Sequence, residues 1–359
     1  MSTSLPLPPT IPTISLRDPR LGDAILDACT SSGFFYLCDH GIAQHETDRL
    51  FALSRDFSAL EEATKRRFMD RASNTGFTPI KHESLDPSKA SDGDLKESFY
   101  LARLATTASG STPESVEHRP PTQLLPAGLG SSKDDVARFI EQCKAVTDEV
   151  LRGFANALHL DDPAFFKGNH HGAHDRLRLI HYPPSSPSSD QGASIRAGAH
   201  SDYGSVTLLF QKDVGGLQVE LEGSGWIDIP PKQGCIVVNV GDAMEFWTAG
   251  LFRSTQHRVV MPRNDSEASS RYSMAYFCQP DENCVLQPLP LSSQVLEAIG
   301  NRRTAMDPAE FESRLRRKGV DVDSARAAYR GDAPFGHLGQ IKLTGGQHLR
   351  ARLAATYKA

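Results

Sequence analysis

The segment His200-Ser201-Asp202, together with the more distant His257, constrains the fold of this chain more than any other feature. Side chains two positions apart share one face of an extended strand, so His200 and Asp202 can point to the same place. His257 can join them only if another strand folds back beside the first. Two imidazoles and one carboxylate leave one side of a bound ion open, as in non-haem Fe(II) oxygenases. The pattern therefore predicts a β-rich fold with an open metal site.

An H-x-D pair is weak evidence when it stands alone, because surface pairs and hydrogen-bonded core histidines are commoner than metal ligands. The context favours a metal here, since both His200-Ser201-Asp202 and His257 lie where predicted strands begin or end. A second group of histidines falls in a polar, glycine-containing stretch. We interpret this group as solvated loop or as support for the metal ligands: His170, His171, His174 and His181.

Composition excludes several classes of function. The 359 residues are 39% hydrophobic, which is enough for a substantial core. A net charge of −5 gives no electrostatic reason to expect nucleic acid or an anionic membrane as partner. No apolar run approaches the roughly 20 residues that span a bilayer, and the first residues lack the pattern of a secretory signal. We therefore expect a cytoplasmic protein whose six scattered cysteines are reduced thiols.

Residues 1–131 predict an N-terminal region of helices and a strand, followed by a long lid loop. Helical patterns occupy the stretch before Gly33 and the segment from Gln44 to Phe68, and the aromatic run Phe34–Cys38 between them predicts a strand. From residue 71 onward, Ser, Asp, Pro and Gly dominate, which indicates a loop or lid. Within this loop, Asp94–Leu101 predicts an edge strand.

Residues 132–170 predict a long helix and a loop, and residues 171–290 predict the β core. Apolar side chains between Ser132 and His159 recur at steps of three and four residues, so this helix should pack one face against a sheet. Helical patterns return over 291–359, and the whole chain should form one compact domain. Many short strands at close spacing indicate a sandwich or barrel: Leu177–Tyr182, Val206–Phe210, Leu217–Glu220, Trp226–Ile229, Cys235–Val240, His257–Val260 and Tyr272–Phe277.

Arg271 and Ser273 form a second candidate site. On a strand, their side chains share one face, where a guanidinium and a hydroxyl make a good receptor for a carboxylate. The alternative is an ordinary surface arginine at the start of a strand. The preceding histidines and aspartate favour the receptor.

Several long motifs, taken together, resemble one known family. The chain is similar, nearly from end to end, to the 2-oxoglutarate/Fe(II)-dependent dioxygenases of the isopenicillin-N-synthase-like family. The segments that carry the resemblance occur in the same order as in that family: Ile11–Leu16, Ser32–Leu37 continuing to Ile42, Asp94–Phe99, Val238–Asp242, Trp247–Gly250 and Ser254–Val259.

The resemblance implies a fold and a metal. The fold would be α+β, with a distorted double-stranded β-helix, or jelly roll, as its core and helices packed behind it. The site would lie in the mouth of the jelly roll, where water can be kept from a reactive centre. His200, Asp202 and His257 would be the ligands of Fe(II).

The resemblance also implies a cosubstrate. Arg271 and Ser273 would bind the distal carboxylate of 2-oxoglutarate, and Tyr182 would help to position it. The family often has an asparagine two residues before this tyrosine, where the present chain has Ile180.

The implied reaction consumes dioxygen and 2-oxoglutarate, oxidises a small organic substrate, and releases succinate and carbon dioxide. Hydroxylation is the expected outcome, with desaturation and cyclisation as alternatives. A nucleobase-like compound or a product of secondary metabolism fits the family's range, and the sequence does not specify an oligomeric state. Four aromatic residues are candidates for contact with substrate, with core packing as the alternative for each: Phe77, Phe99, Tyr203 and Phe277.

Two other functions compete with this interpretation. One is an iron-dependent oxidase of the same fold in which Arg271 and Ser273 grip a carboxylate of the substrate and 2-oxoglutarate is not used. The other is a non-catalytic jelly-roll protein that keeps the site for binding alone. Succinate formed during turnover distinguishes an oxygenase that uses 2-oxoglutarate from both.

Overall fold

The structure is a computed structural model, and it describes residues 10–70, 73–85, 93–104, 123–185, 195–264, 268–289, 295, 297, 308–318, 320–323 and 342–356. Much of the predicted lid loop lies outside the described residues, at 71–72, 86–92 and 105–122. Large parts of the predicted C-terminal helical region lie outside them as well.

The described strands form two large sheets and one small one. The first sheet has the order β1-β2-β11-β8-β13-β6-β5-β4-β3, the second has the order β10-β9-β12-β7, and β14 pairs with β15. The strands are β1 Thr13–Ser15, β2 Phe34–Cys38, β3 Met69–Asp70, β4 Thr75–Thr78, β5 Glu97–Ala102, β6 Arg176–Tyr182, β7 Ile195–His200, β8 Val206–Gln211, β9 Leu217–Leu221, β10 Gly225–Asp228, β11 Cys235–Val240, β12 His257–Val260, β13 Arg271–Cys278, β14 Val285–Leu286 and β15 Leu343–Thr344.

The two large sheets face each other as a jelly roll. Apolar side chains from β6 and β13 of the first sheet pack against those from β7 and β12 of the second: Ile180, Tyr182, Ala197, Val259 and Ala275. All strand pairs in these sheets are antiparallel except that of β1 with β2. The predicted α+β jelly-roll fold is therefore confirmed.

Helices cover the outer face of the larger sheet. The longest is α5, whose predicted position is confirmed, and its apolar face is buried along its whole length. In the described part of the chain, no helix combines the length and the apolar character needed to cross a membrane. The helices are α1 Leu21–Ser31, α2 Gln44–Ser58, α3 Glu62–Arg66, α4 Ala127–Ser131, α5 Lys133–Ala157, α6 Asp242–Trp247, α7 Pro308–Arg317 and α8 Gly345–Thr356, with a 3-10 turn at Lys167–Asn169.

Several strands differ from the sequence prediction, among them β4, β5 and β7. The strand predicted around Asp94–Leu101 is β5, and it lies inside the sheet, because β4 pairs with its outer side. The sequence of β4, Thr-Gly-Phe-Thr, is too short and too glycine-rich to indicate a strand. The sequence does not indicate β7 either, because Ile-Arg-Ala-Gly-Ala-His contains no apolar run.

The prediction that all six cysteines are reduced is wrong for two of them. Cys38 and Cys235 form a disulfide. They lie directly opposite each other in the antiparallel pair β2 and β11, with Cα atoms 4.5 Å apart, a separation that suits the bond. Sequence spacing cannot show a contact that depends on sheet register. The other four cysteines are free and buried.

Truncating a buried side chain of α5, the helix that packs behind the larger sheet, should destabilise the protein. Phe154 of α5 is fully buried and meets Phe252 edge-on, with ring centroids 5.2 Å apart. We expect Phe154→Ala to lower the free energy of unfolding by about 3–5 kcal/mol through lost burial and a new cavity. Exposed Lys133, on the same helix, serves as the control: Lys133→Ala should change it by less than about 0.5 kcal/mol. Urea unfolding followed by circular dichroism measures both, and equal effects would contradict this role of α5.

Candidate metal centre

The sheet brings His200, Asp202 and His257 together. His200 ends β7 and His257 begins β12, and the two residues pair directly in the antiparallel ladder. Asp202 Oδ1 lies 3.9 Å from His200 Nε2 and 3.7 Å from His257 Nε2. Within the described ranges, this is the one group of three potential metal ligands whose donor atoms all lie within 4.8 Å of one another.

Both imidazoles are oriented by backbone carbonyl groups. His200 Nδ1 lies 2.8 Å from the carbonyl oxygen of Gly198, and His257 Nδ1 lies 3.2 Å from that of Thr255. Because a carbonyl oxygen can only accept, Nδ1 carries the proton in each ring. The lone pair of each Nε2 is therefore left for a metal ion.

The carboxylate of Asp202 is oriented in the same way. Its Oδ2 accepts hydrogen bonds from Thr207 Oγ1 at 2.6 Å and from Asn239 Nδ2 at 2.7 Å, so Oδ1 is left facing the two imidazoles. Burial by itself would raise the pKa of Asp202, but the two nearby imidazoles and these hydrogen bonds hold the pKa below its usual value. The aspartate is therefore ionised at neutral pH.

The donor set fits a ferrous ion. Burial, and then the proximity of His257, lowers the pKa of His200 to about 3, so its imidazole is neutral near pH 7 and needs no deprotonation before it binds. Two neutral imidazoles and one carboxylate on one side of an ion are the set typical of non-haem Fe(II) centres, although zinc or manganese also accepts such ligands.

Arg271 is a buried cation beside this centre. It is 1% exposed, and its guanidinium donates to the Gly215 carbonyl at 2.8 Å, to Gln211 Oε1 at 3.1 Å and to Ser273 Oγ at 3.3 Å. It also lies 4.9 Å from the ring centroid of Tyr182. Among the residues that the structure describes, no carboxylate pairs with it. A buried charge without a counter-ion is costly, and burial lowers the pKa of Arg271. An anionic ligand would compensate this charge.

One inner cavity connects the two candidate sites. It has a volume of about 60 Å³ and lies between the two sheets. Ile180 also lines this cavity. It occupies the position at which asparagine is common in the family that the sequence resembles. The six residues predicted for metal and cosubstrate all contribute to its wall: His200, Asp202, His257, Tyr182, Arg271 and Ser273.

A second cavity, of about 70 Å³, also adjoins the metal centre. Phe277 contributes to the walls of both cavities, and His200 and Asp202 do so as well. The wall of the second cavity combines aromatic, apolar and charged side chains: Glu83, Leu85, Tyr100, Arg178, Tyr203, Phe277, Leu349 and Leu353.

The structure separates the four aromatic residues predicted to face a substrate. Tyr203 and Phe277 line the second cavity. Phe99 does not face it: side chains alternate along β5, and Phe99 lies on the helix side, where it packs edge-on against Phe57 at 4.7 Å. Phe77 pairs with Phe99 in the sheet and lines a separate cavity of about 310 Å³.

Most of the wall of the second cavity did not follow from the sequence, including Tyr100, Arg178 and Glu83. Arg178 stacks over the ring of Tyr100 at 4.4 Å, and its Nη2 donates to Glu83 Oε2 at 2.6 Å. Alternation could have identified the first two, because Tyr100 and Arg178 point away from the helix-facing apolar residues of β5 and β6. No local pattern identifies Glu83, which lies outside the regular elements.

The second histidine group is divided between the surface and the interior, with His171 exposed and His170 buried. His170 is 1% exposed and hydrogen-bonds to the carbonyl of Phe166 and to Ser205. Burial lowers the pKa of His170 to about 4. The other three histidines each contact a carboxylate: His171 contacts Asp281, His174 contacts Glu282 and His181 contacts Glu97.

The sequence matches two family models. Residues 173–280 match the 2OG-Fe(II) oxygenase superfamily. Residues 11–126 match a model described as the N-terminal part of a non-haem dioxygenase in morphine synthesis. The first match contains every residue predicted for the metal and the cosubstrate.

Relatives and solved structures agree with these matches. The chain is 35% identical to a UPF0676 protein of Schizosaccharomyces pombe over 74% of this chain and 79% of that protein. It is 31% identical to the 2-oxoglutarate-dependent dioxygenase citB of Monascus ruber, over 76% and 84% of the two chains. A full-length Neurospora crassa protein, solved in complex with alpha-KG and thymine, superposes with a TM-score of 0.71 at 27% identity and covers 96% of both chains.

The hydrogen bond that orients Asp202 should matter for metal affinity. We expect Asn239→Ala to weaken metal binding about 10–100-fold, because the carboxylate loses one of the groups that fix its rotamer. Asn169, whose side chain donates to the Phe165 carbonyl away from the site, provides the control variant Asn169→Ala. Anaerobic competition between each protein and a chromophoric Fe(II) chelator measures the affinity. Equal affinities for both variants would show that the bond is not needed.

Proposed function

The chain belongs to the 2-oxoglutarate- and Fe(II)-dependent oxygenase superfamily, and on this basis we propose that His200, Asp202 and His257 hold its ferrous ion. As a member, it is a non-haem dioxygenase that uses Fe(II), 2-oxoglutarate and dioxygen to oxidise a small organic substrate, with succinate and carbon dioxide as products. The observation that carries the ligand assignment is the inner cavity, which these three side chains share with a buried arginine that lacks an acidic partner among the described residues.

Arg271 and Ser273 are proposed to receive the distal carboxylate of 2-oxoglutarate. The guanidinium offers a charge-assisted, forked contact, and the Ser273 hydroxyl, 3.3 Å from Arg271 Nη1, adds a donor at the same end of the cavity. Tyr182 lies over the guanidinium and limits where the ligand can sit. The cosubstrate would therefore lie along the cavity, with its opposite end at the metal centre.

The bound iron supplies the oxidation chemistry, and the side chains of this protein supply position and shelter. The two imidazoles and the carboxylate would hold the ion and leave room beside it for the cosubstrate and dioxygen. The apolar side chains Ala197, Val259 and Ala275 exclude bulk water from the inner cavity. No side-chain nucleophile or general base is required.

The substrate is proposed to occupy the second cavity, where Tyr203, Phe277 and Tyr100 offer aromatic surfaces beside the metal centre. Hydroxylation of a small ring compound is the proposed outcome. A nucleobase-like substrate is supported by the solved Neurospora relative that carries thymine. A role in secondary metabolism, a cytoplasmic location and the division at residues 131, 170 and 290 stay predictions from the sequence.

Binding of iron and cosubstrate can be followed directly. Under anaerobic conditions, Fe(II) and 2-oxoglutarate together should give the protein a weak visible charge-transfer band. We expect His200→Ala and Asp202→Ala to abolish the band, because two ligands do not hold the ion. A band of normal intensity in both variants would overturn the ligand assignment.

Arg271 should control affinity for the cosubstrate and not for the metal. We expect Arg271→Met to weaken 2-oxoglutarate binding by about 2–5 kcal/mol, the range for losing a buried charge-assisted contact. This corresponds to roughly 30-fold to several-thousand-fold in Kd. Arg258, which stacks on Trp226 at 4.1 Å outside the inner cavity, supplies the control Arg258→Met. Titrating the band with 2-oxoglutarate gives both constants, and an unchanged Kd for Arg271→Met would refute the receptor.

A further inference from the structure

Asp242 is a buried carboxylate that the reaction itself does not require. It ends the motif Val238–Asp242, begins α6, and is 2% exposed. Its Oδ1 accepts a hydrogen bond from Ser254 Oγ at 2.6 Å, and its Oδ2 accepts one from Ser201 Oγ at 3.2 Å. Ser201 is the residue between the two proposed metal ligands His200 and Asp202. The carboxylate therefore contacts the turn formed by residues 201–205. We call this segment the metal-binding turn, because it follows His200 and contains Asp202.

The backbone at the start of α6 holds the same turn. The N–H of Asp242 donates to the carbonyl of Asp202 at 2.8 Å, and the N–H of Gly241 donates to the carbonyl of Ser205 at 3.1 Å. A Cβ atom on Gly241 would lie 2.1 Å from the carbonyl oxygen of Gly204, so no other residue permits this close approach. Side chain and backbone together fix the position of residues 201–205.

The charge of Asp242 is compensated from the C-terminal part of the chain. Lys318, just after α7, places Nζ 2.5 Å from Oδ1, and Arg352 of α8 places Nε 2.8 Å from Oδ2. Arg352 also donates to the carbonyl of Lys318 at 2.9 Å and lies over the ring of Tyr203 at 4.6 Å. Lys318 pairs with Glu245 as well, at 2.6 Å. A carboxylate this deeply buried depends on these two cations.

The helix that carries Arg352 also forms part of the substrate cavity. Leu349 and Leu353 of α8 line the second cavity together with His200 and Asp202. Residues four positions apart lie on one face of a helix, so these leucines present a continuous apolar surface to the cavity. The cavity wall and the metal-binding turn thus share Asp242 as a common point of attachment.

We propose that Asp242 is a positioning residue, which couples the C-terminal segment at Lys318 and Arg352 to the metal-binding turn through Ser201 and the backbone of Asp202. The inference rests on the proposed function, since it takes His200 and Asp202 as iron ligands. It assigns to the C-terminal segment a role in holding the ligands, in addition to its place beside the substrate cavity.

Metal affinity tests the coupling without any substrate. Ser201→Ala removes the hydroxyl that donates to Asp242, and Arg352→Met removes one compensating cation. We expect each variant to raise the Kd for Fe(II) about 10–100-fold, the usual effect of losing a group that orients a metal ligand. Anaerobic competition with a chromophoric Fe(II) chelator gives the Kd, and thermal unfolding of the same samples reports stability.

A matched control separates positioning from general stability. Lys65 is another buried lysine, and its Nζ lies 2.6 Å from Glu97 Oε2, away from the metal-binding turn. Lys65→Met should lower the melting temperature and leave the Kd for Fe(II) within about twofold of wild type. If Arg352→Met does not fold, Ser201→Ala still decides the question, because it removes only one hydroxyl.

The outcomes distinguish two failures. Wild-type protein that does not bind Fe(II) would overturn the proposed function. Wild-type protein that binds Fe(II), together with Ser201→Ala and Arg352→Met variants of unchanged affinity, would overturn the role of Asp242 alone. A loss of affinity in Lys65→Met as large as in Arg352→Met would also overturn it, because the effect would then follow stability.

Discussion

The pairing of β12 with β7 is the interaction on which the rest of the site depends. It places His257 directly opposite His200, so two imidazoles that are distant in sequence meet at one edge of the smaller sheet. A shift of this register by one residue would turn His257 to the other face of the sheet. The ladder is irregular just beyond this pair, between His257 and Val260, and apolar residues of the same two strands are buried against β6 and β13. Strand pairing, supported by packing between the sheets, therefore brings the two histidines together.

Among the described residues, a buried cation without an acidic partner distinguishes the inner cavity from the interior around it. The side chains of Lys318 and Arg352 are largely buried, but each has a carboxylate within 3 Å. Arg271 is buried more completely and, in the described part of the chain, meets only neutral oxygens and a ring. A fold that matches these two cations and leaves Arg271 unmatched retains a favourable place for an anion.

The periodicity of apolar residues and the order of the motifs predicted the helices and strands that depend on local sequence. The apolar periodicity of α5 and the short strands of the core follow from side-chain spacing, and the ligand set follows from two motifs. Contacts set by register did not follow: Cys38 and Cys235 meet only because β2 and β11 align. The face of Phe99 did not follow from the sequence either, because an aromatic residue on a buried strand can point to either side. The contribution of Glu83 depends on a loop whose path the sequence does not specify.

The motif Val238–Asp242 contacts two parts of the candidate metal centre: the side chain of Asp202 and the turn that carries it. Asn239, still on the strand β11, donates to the side chain of Asp202. Asp242, three residues later and already on a helix, contacts the backbone of Asp202 and the hydroxyl of Ser201. Gly241 between them allows the chain to pass close to the metal-binding turn. The change from strand to helix within this motif is therefore what lets one segment orient the ligand and fix the turn that carries it.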